Sequence, residues 1–229
     1  MPGGTTVTQR RRPDRVAAAR RIRPSGWWFD ALLLVAFAAI TAALAAGWLY
    51  GVDTAVYQWC YAHRPDAAYR IARVLNFLGN GGPLSGICAV LALILAIRRR
   101  SIRPILPVAF AFVLTVVAIT PLKVWTDRAA PSSNRPDRVE IFNQLPPGEY
   151  SWSYPSGHLV NTIVWYGVLA LLLAPWLRRT ARLWLRVAPP AIVFCTTVYL
   201  DFHWLTDSIS GVLLGVFLYR LIARIPWRL

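Results

Sequence analysis

The chain has 229 residues, 56% of them hydrophobic, with 11 tryptophans and a mean hydropathy of +0.45. That apolar load exceeds what a soluble core needs and argues against a water-soluble globular class. The formal charge of +15 is segregated along the chain, which assigns the basic excess to membrane topology rather than to nucleic-acid binding.

Residues 1–26 form a basic tail with seven arginines between positions 10 and 23. The apolar run that follows is too long for a cleaved signal peptide, so the tail is expected to stay on the cytoplasmic side, drawn to anionic lipid. Six apolar runs come next, at about 28–50, 84–97, 105–122, 159–177, 187–200 and 208–222. The second and fifth fall short of the roughly 20 residues that a bilayer requires and reach that length only by extending into flanks such as Gly81 to Pro83 or Phe202. The expected fold is one all-α integral membrane domain over residues 27–229, with six transmembrane helices.

Between the first two spans, residues 52–82 read as amphipathic. Asp53 is placed to cap one helix, and Pro65 suits the first turn of a second that reaches about Leu78. Asn80-Gly81-Gly82-Pro83 then reads as a break. Tyr57, Trp59, Tyr61 and Tyr69 suit the boundary between lipid and water. The longest polar stretch, residues 123–155, begins with the only lysine, Lys123, and ends at Pro155-Ser156-Gly157-His158. A loop of that length is more often functional than idle. The cysteines show neither a disulfide framework nor metal spacing: Cys88 and Cys195 lie in apolar runs and Cys60 outside them.

Four arginines in 98–103, four in 178–186, three in 220–228 and the seven of the tail fall on one side of a six-span layout, and eight of the ten acids fall on the other. The positive-inside rule puts both termini in the cytoplasm and the histidine-bearing loops outside. One lysine against 24 arginines, with abundant alanine, suits a GC-rich bacterial genome. The expected location is therefore a bacterial plasma (inner) membrane, crossed several times.

The chemistry-bearing residues collect at the outer helix ends. His203 and Asp207 are four apart, so within a helix the carboxylate would hold one imidazole nitrogen and leave the other free as base or nucleophile. The same pair also fits a capping Asp beside an interfacial His. Ser156-Gly157-His158 opens the fourth span, where unpaired N–H groups favour phosphate, Gly157 permits close approach, and His158 can give a proton to a leaving oxygen. Lys123 and Arg128 sit at the outer end of the third span and are the residue types that clamp phosphoryl oxygens. Two histidines without close ligand spacings favour phosphoryl transfer over a zinc site.

These residues resemble the lipid phosphate phosphatase superfamily, also called type 2 phosphatidic acid phosphatases. Its three motifs are Lys, six residues, Arg-Pro; Pro-Ser-Gly-His; and Ser-Arg, five residues, His, three residues, Asp. The second matches fully at Pro155, Ser156, Gly157 and His158. The third keeps His203 and Asp207, with Gly211 after them, and the first keeps Lys123 and Pro131. Two arginines depart from the pattern: Ala130 and Thr197 stand in their slots, and Thr196 replaces the neighbouring serine. The resemblance implies His203 as phosphoryl-accepting nucleophile, Asp207 as its orienter, and His158 as general acid and then base. Lys123, Ser156, Gly157 and Thr197 would bind phosphate. Arg128 would help from two residues before Ala130, where period two restores side-chain direction in an extended loop. No metal or other cofactor is implied. The expected activity is hydrolysis of a lipid phosphate or pyrophosphate at the outer face, with a polyprenyl pyrophosphate as first choice. A lipid-linked phosphotransferase and a degenerate lipid-binding protein are the alternatives, and the oligomeric state is not legible.

Overall fold

The computed structural model describes residues 26–143 and 152–227. Most of the basic tail, and Pro146 and Pro147 of the long loop, lie outside them. Among the described residues the regular structure is entirely helical: α1 (Trp27–Ala45), α2 (Tyr50–Ala62), α3 (Asp66–Leu75), a 3₁₀ turn (Asn76–Gly79), α4 (Gly81–Arg99), α5 (Ile105–Thr126), α6 (Gly157–Leu172), α7 (Arg179–Tyr199) and α8 (Leu205–Arg224).

α1, α4, α5 and α8 are long and apolar enough to cross a membrane. α1, α4 and α5 expose bulky aliphatic and aromatic side chains such as Val35, Ile97, Val117 and Trp125, as lipid-facing helices do. The expected first span is shorter than 28–50, because Gly47 adopts a left-handed φ of 74° and ends the helix, a conformation glycine takes without a Cβ penalty. The expected fourth span stops at Leu172 and the fifth starts as early as Arg179. α7 continues through Pro189 and Pro190.

Three expectations in the amphipathic segment are corrected. Asp53 lies inside the first turn of α2 and caps a different helix, because its Oδ1 accepts from the N–H of Thr206 in α8 at 3.0 Å. Gly81, Gly82 and Pro83 belong to α4, so the break is confined to Asn80. Pro65 precedes α3 rather than starting it.

The six longer helices, α1 and α4 to α8, alternate in direction. At one end, Gly157 of α6 lies beside Lys123 of α5, Thr41 of α1 bonds Tyr154 at 2.6 Å, and the carbonyl of Thr197 in α7 accepts from His203 N before α8. At the other, Asp30 of α1 pairs with Arg220 of α8, and Arg99 of α4 lies over Trp176 beyond α6. α6 is the central rod, with Val160, Val164, Trp165, Val168 and Leu172 packed on Leu214, Leu218 and Ile222 of α8 and on Cys88, Ala92 and Leu95 of α4. A Cβ on Gly211 would stand 2.7 Å from the Ser156 carbonyl oxygen, and one on Gly215 would stand 3.1 Å from Val160 Cα. This small-xxx-small spacing lets the α6 and α8 backbones touch.

Candidate active site

The alternation brings four helix ends together: the C-terminal ends of α5 and α7 and the N-terminal ends of α6 and α8. His158 lies in the first turn of α6, and His203 lies just before α8. The Nδ1 of His158 is 3.2 Å from the Nε2 of His203. Forty-five positions apart in sequence, the two imidazoles are in contact.

His203 is nearly buried, and Asp207 completely so. Their direct separation, 3.7 Å from Nδ1 to Oδ2, is too long for a hydrogen bond. Ser153 fills the gap: its hydroxyl donates to Asp207 Oδ2 at 2.6 Å and lies 3.3 Å from His203 Nδ1. The serine's only proton is committed to the carboxylate, so its oxygen accepts from Nδ1–H, and the Nε2 lone pair faces His158. Burial holds the His203 imidazole below its ordinary value, with Asp207 opposing that shift. The ring is therefore neutral, as a nucleophile needs.

Asp207 is fixed from behind. Its Oδ2 also accepts from Trp204 N at 3.0 Å, tying down the backbone at the start of α8. Its Oδ1 accepts from Arg128 Nη1 at 2.6 Å. This corrects the expectation for Arg128. All five of its N–H groups are occupied: Nε and Nη2 on the Val139 carbonyl (3.0 and 2.8 Å), Nη1 on Thr206 and Asp207, and Nη2 on Asp53 at 2.6 Å. The guanidinium is fully buried, behind the carboxylate that backs His203, and has no donor left for phosphate. Asp53 completes the network through the N–H and hydroxyl of Thr206. Burial lifts the Asp53 carboxyl above the usual range, while Arg128 pulls it back.

The other expected phosphate ligands divide. Lys123 extends over the start of α6: its Nζ donates to the Trp152 carbonyl, and its Cε is 3.4 Å from where a Gly157 Cβ would be. Lys123 and Gly157 therefore share the face that carries His158. Ser156 is buried beneath α6, where its Oγ accepts from Leu159 N. Thr197 is also buried, and its hydroxyl donates back to Val193 O at 2.8 Å within its own helix. As the structure stands, neither hydroxyl is turned toward the histidines.

Sequence reasoning missed Ser153, Asp53 and Thr206. No local pattern announces them, because each matters through a partner 50 or more positions away. It also missed the wall around His158. Gly79 of the 3₁₀ turn is so close that a Cβ there would be 3.1 Å from the ring's Cδ2, and Phe202 stacks on the same ring at 6.2 Å with a 26° tilt. Among the described residues, no cluster of three His, Cys, Asp or Glu side chains is grouped to hold a metal.

Comparison with known proteins places this arrangement. The chain is 32% identical over 106 residues to phosphatidylglycerophosphatase B of Bacillus subtilis (strain 168), a match covering 44% of this chain and 47% of that protein; the matched stretch is thus about half of the relative's length. A crystal structure of a transmembrane PAP2-type phosphatidylglycerolphosphate phosphatase from Bacillus subtilis superposes with a TM-score of 0.70. It is 21% identical, and the match covers 85% of this chain and 94% of that one, which makes the fold a shared one. A sequence profile of the PAP2 superfamily matches residues 104–229, the part that carries Lys123, both histidines and Asp207. The chain belongs to the PAP2 superfamily.

Proposed function

We propose that this protein hydrolyses a lipid phosphate or pyrophosphate without a metal, through a phosphohistidine on His203. The observation that carries the reading is the order Asp207–Ser153–His203–His158, which leaves one imidazole nitrogen electron-rich and aimed at a second imidazole. The Nε2 lone pair attacks phosphorus, the bond from phosphorus to the lipid oxygen breaks, and His158 delivers a proton to that oxygen. Water then attacks the phosphohistidine, gives its proton to His158, and inorganic phosphate leaves. Lys123 and the Gly157 N–H stabilise the charge on the equatorial oxygens. At 3.2 Å the rings leave no room for a phosphoryl group, so His158 swings aside as substrate enters. Asp207 is already engaged by Arg128, Ser153 and Trp204, which favours phosphoryl transfer over metal-assisted hydrolysis.

In this reading residues 27–229 form one domain, and all six longer helices cross the bilayer. α6 rises only about 24 Å, against a hydrocarbon core of about 30 Å, but it is sheathed by its neighbours. The ends holding Arg98–Arg100, Arg178, Arg179, Arg220 and Arg224 face the cytoplasm, and the histidine pair faces outward across a bacterial plasma membrane. A polyprenyl pyrophosphate remains the first candidate substrate; the name of the Bacillus relative adds phosphatidylglycerol phosphate.

The test is phosphate release by purified protein in lipid nanodiscs from farnesyl pyrophosphate, phosphatidic acid and phosphatidylglycerol phosphate, with chelator present. Wild type is expected to release phosphate from at least one, His203→Ala from none, and His158→Ala far more slowly, because both the formation and the hydrolysis of the phosphohistidine use His158. Transfer only in the presence of an acceptor would replace hydrolysis with a phosphotransferase. Undiminished release by His203→Ala would overturn the mechanism.

A further inference from the structure

The reaction needs cations on the phosphoryl oxygens, and the charged groups behind the histidines do not provide enough of them. Arg128 is saturated. Arg64 is bound to Asp201 at 2.6 Å, and Arg135 to Asp137 at 2.9 Å. Arg138 donates to Ser133 O and lies over Tyr57. Lys123 is left on the inner side of the site. The wall beside His158 is built by Gly79 of the turn after α3 and by Phe202, and Arg73 of α3 lies over that Phe202 ring.

Arg73 is exposed and makes no hydrogen bond or ion pair with any described residue. Its position is nonetheless defined. Its Cζ lies 5.4 Å from the centroid of the Phe202 ring, the same ring that stacks on His158 at 6.2 Å. Two links hold the segment carrying Arg73 against the site: Asn76 Oδ1 accepts from Thr196 Oγ1 at 3.0 Å, and Gly79 abuts His158. Ile71, Val74, Leu75 and Phe77 of the same segment are exposed and form an apolar face suited to the lipid boundary. Arg73 lies on the opposite, polar face of α3, away from that lipid boundary and over Phe202.

We propose that Arg73 is the cation that meets the lipid phosphate oxygens on the outer side of His158, opposite Lys123. A planar guanidinium braced on Phe202 offers a bidentate contact at the mouth, from an amphipathic helix and not from the loop after α5. This rests on the phosphatase reading, and two measurements separate the claims.

The first is binding of orthovanadate, a phosphate analogue, to wild type, Arg73→Met, Arg73→Lys and the control Arg70→Met, followed by thermal shift and titration. Methionine keeps an apolar stem over Phe202 and removes the charge. Arg73→Met is expected to weaken vanadate at least tenfold, Arg73→Lys to regain part, and Arg70→Met, on the same helix, to stay within twofold. The second is phosphate release, where Arg73→Met is expected to lose roughly 100-fold in kcat/KM. If Arg73→Met matches wild type or Arg70→Met in both, Arg73 is only a surface charge and the inference fails alone. Vanadate binding that depends on Arg73 in a protein that releases no phosphate would overturn the phosphatase reading and keep the contact. Failure of wild type to bind vanadate would overturn both.

Discussion

Replacing Arg128 by methionine separates a phosphate clamp from an internal brace. The side chain makes five hydrogen bonds to protein atoms at 2.6–3.0 Å, two of them to the buried carboxylates of Asp53 and Asp207. Methionine fills similar volume but leaves both carboxylates without their cation, and removing one partner of a buried ion pair costs about 3–5 kcal/mol. For a chain of this size that corresponds to a fall of roughly 10 °C in Tm. Asp53→Asn is milder, because Arg128 keeps Asp207; losing charge-assisted bonds there costs about 1–3 kcal/mol. The double variant should melt higher than the sum of the singles predicts, since Asp53→Asn removes one of the two carboxylates that Arg128→Met orphans. The assay is thermal unfolding in detergent, followed by size-exclusion fluorescence, with vanadate affinity measured below the transition. An Arg128→Met protein that melts with wild type but has lost vanadate binding would refute the reasoning and return the guanidinium to the substrate.

Ser153→Ala removes the bridge between Asp207 and His203. It should lower kcat by roughly 10- to 100-fold, the equivalent of one hydrogen bond to a charged group, with little change in KM; equal changes in both, or none, would count against the bridge. Burial lowers the His203 value below the ordinary 6.5, so its neutral imidazole persists at pH values where a free imidazole has protonated. The acid limb of kcat/KM is therefore expected below pH 6.5, and a limb at or above that value would contradict it. Gly211→Val forces a Cβ to 2.7 Å from the Ser156 carbonyl oxygen, so it should cost about 1–3 kcal/mol by overpacking and reduce phosphate release. Gly86→Ala, with nothing within 4 Å, should melt at or slightly above wild type.

The apolar runs made the helical bundle legible, because it depends on short-range pattern, and the resemblance carried by Pro-Ser-Gly-His and by His203 with Asp207 put the two histidines in one site. Two local rules failed where their premise did. The i, i+4 argument for His203 and Asp207 assumed one helix, but α8 begins at Leu205; His203 precedes it, and the separation grows enough for Ser153 to enter. The alternation argument for Arg128 assumed extended chain. Asp127 instead takes a left-handed φ of 35° at the end of α5, which turns Arg128 inward to Asp53 and Asp207. The partners themselves lie 75 and 79 positions away, beyond the reach of any periodicity.

The glycine contact between α6 and α8 has a consequence for how such a protein diversifies. Backbones that touch at Gly211 and Gly215 fix the spacing of the helices that hold the two histidines, and no side-chain change there can be absorbed by repacking. α1, α4 and α5 meet that pair through side chains that include Phe37, Leu84, Leu95 and Val108 and expose many of their other apolar side chains. The reaction centre and the outer apolar surface are thereby uncoupled: drift on α1, α4 and α5 can suit a thicker bilayer while the chemistry stays where it is.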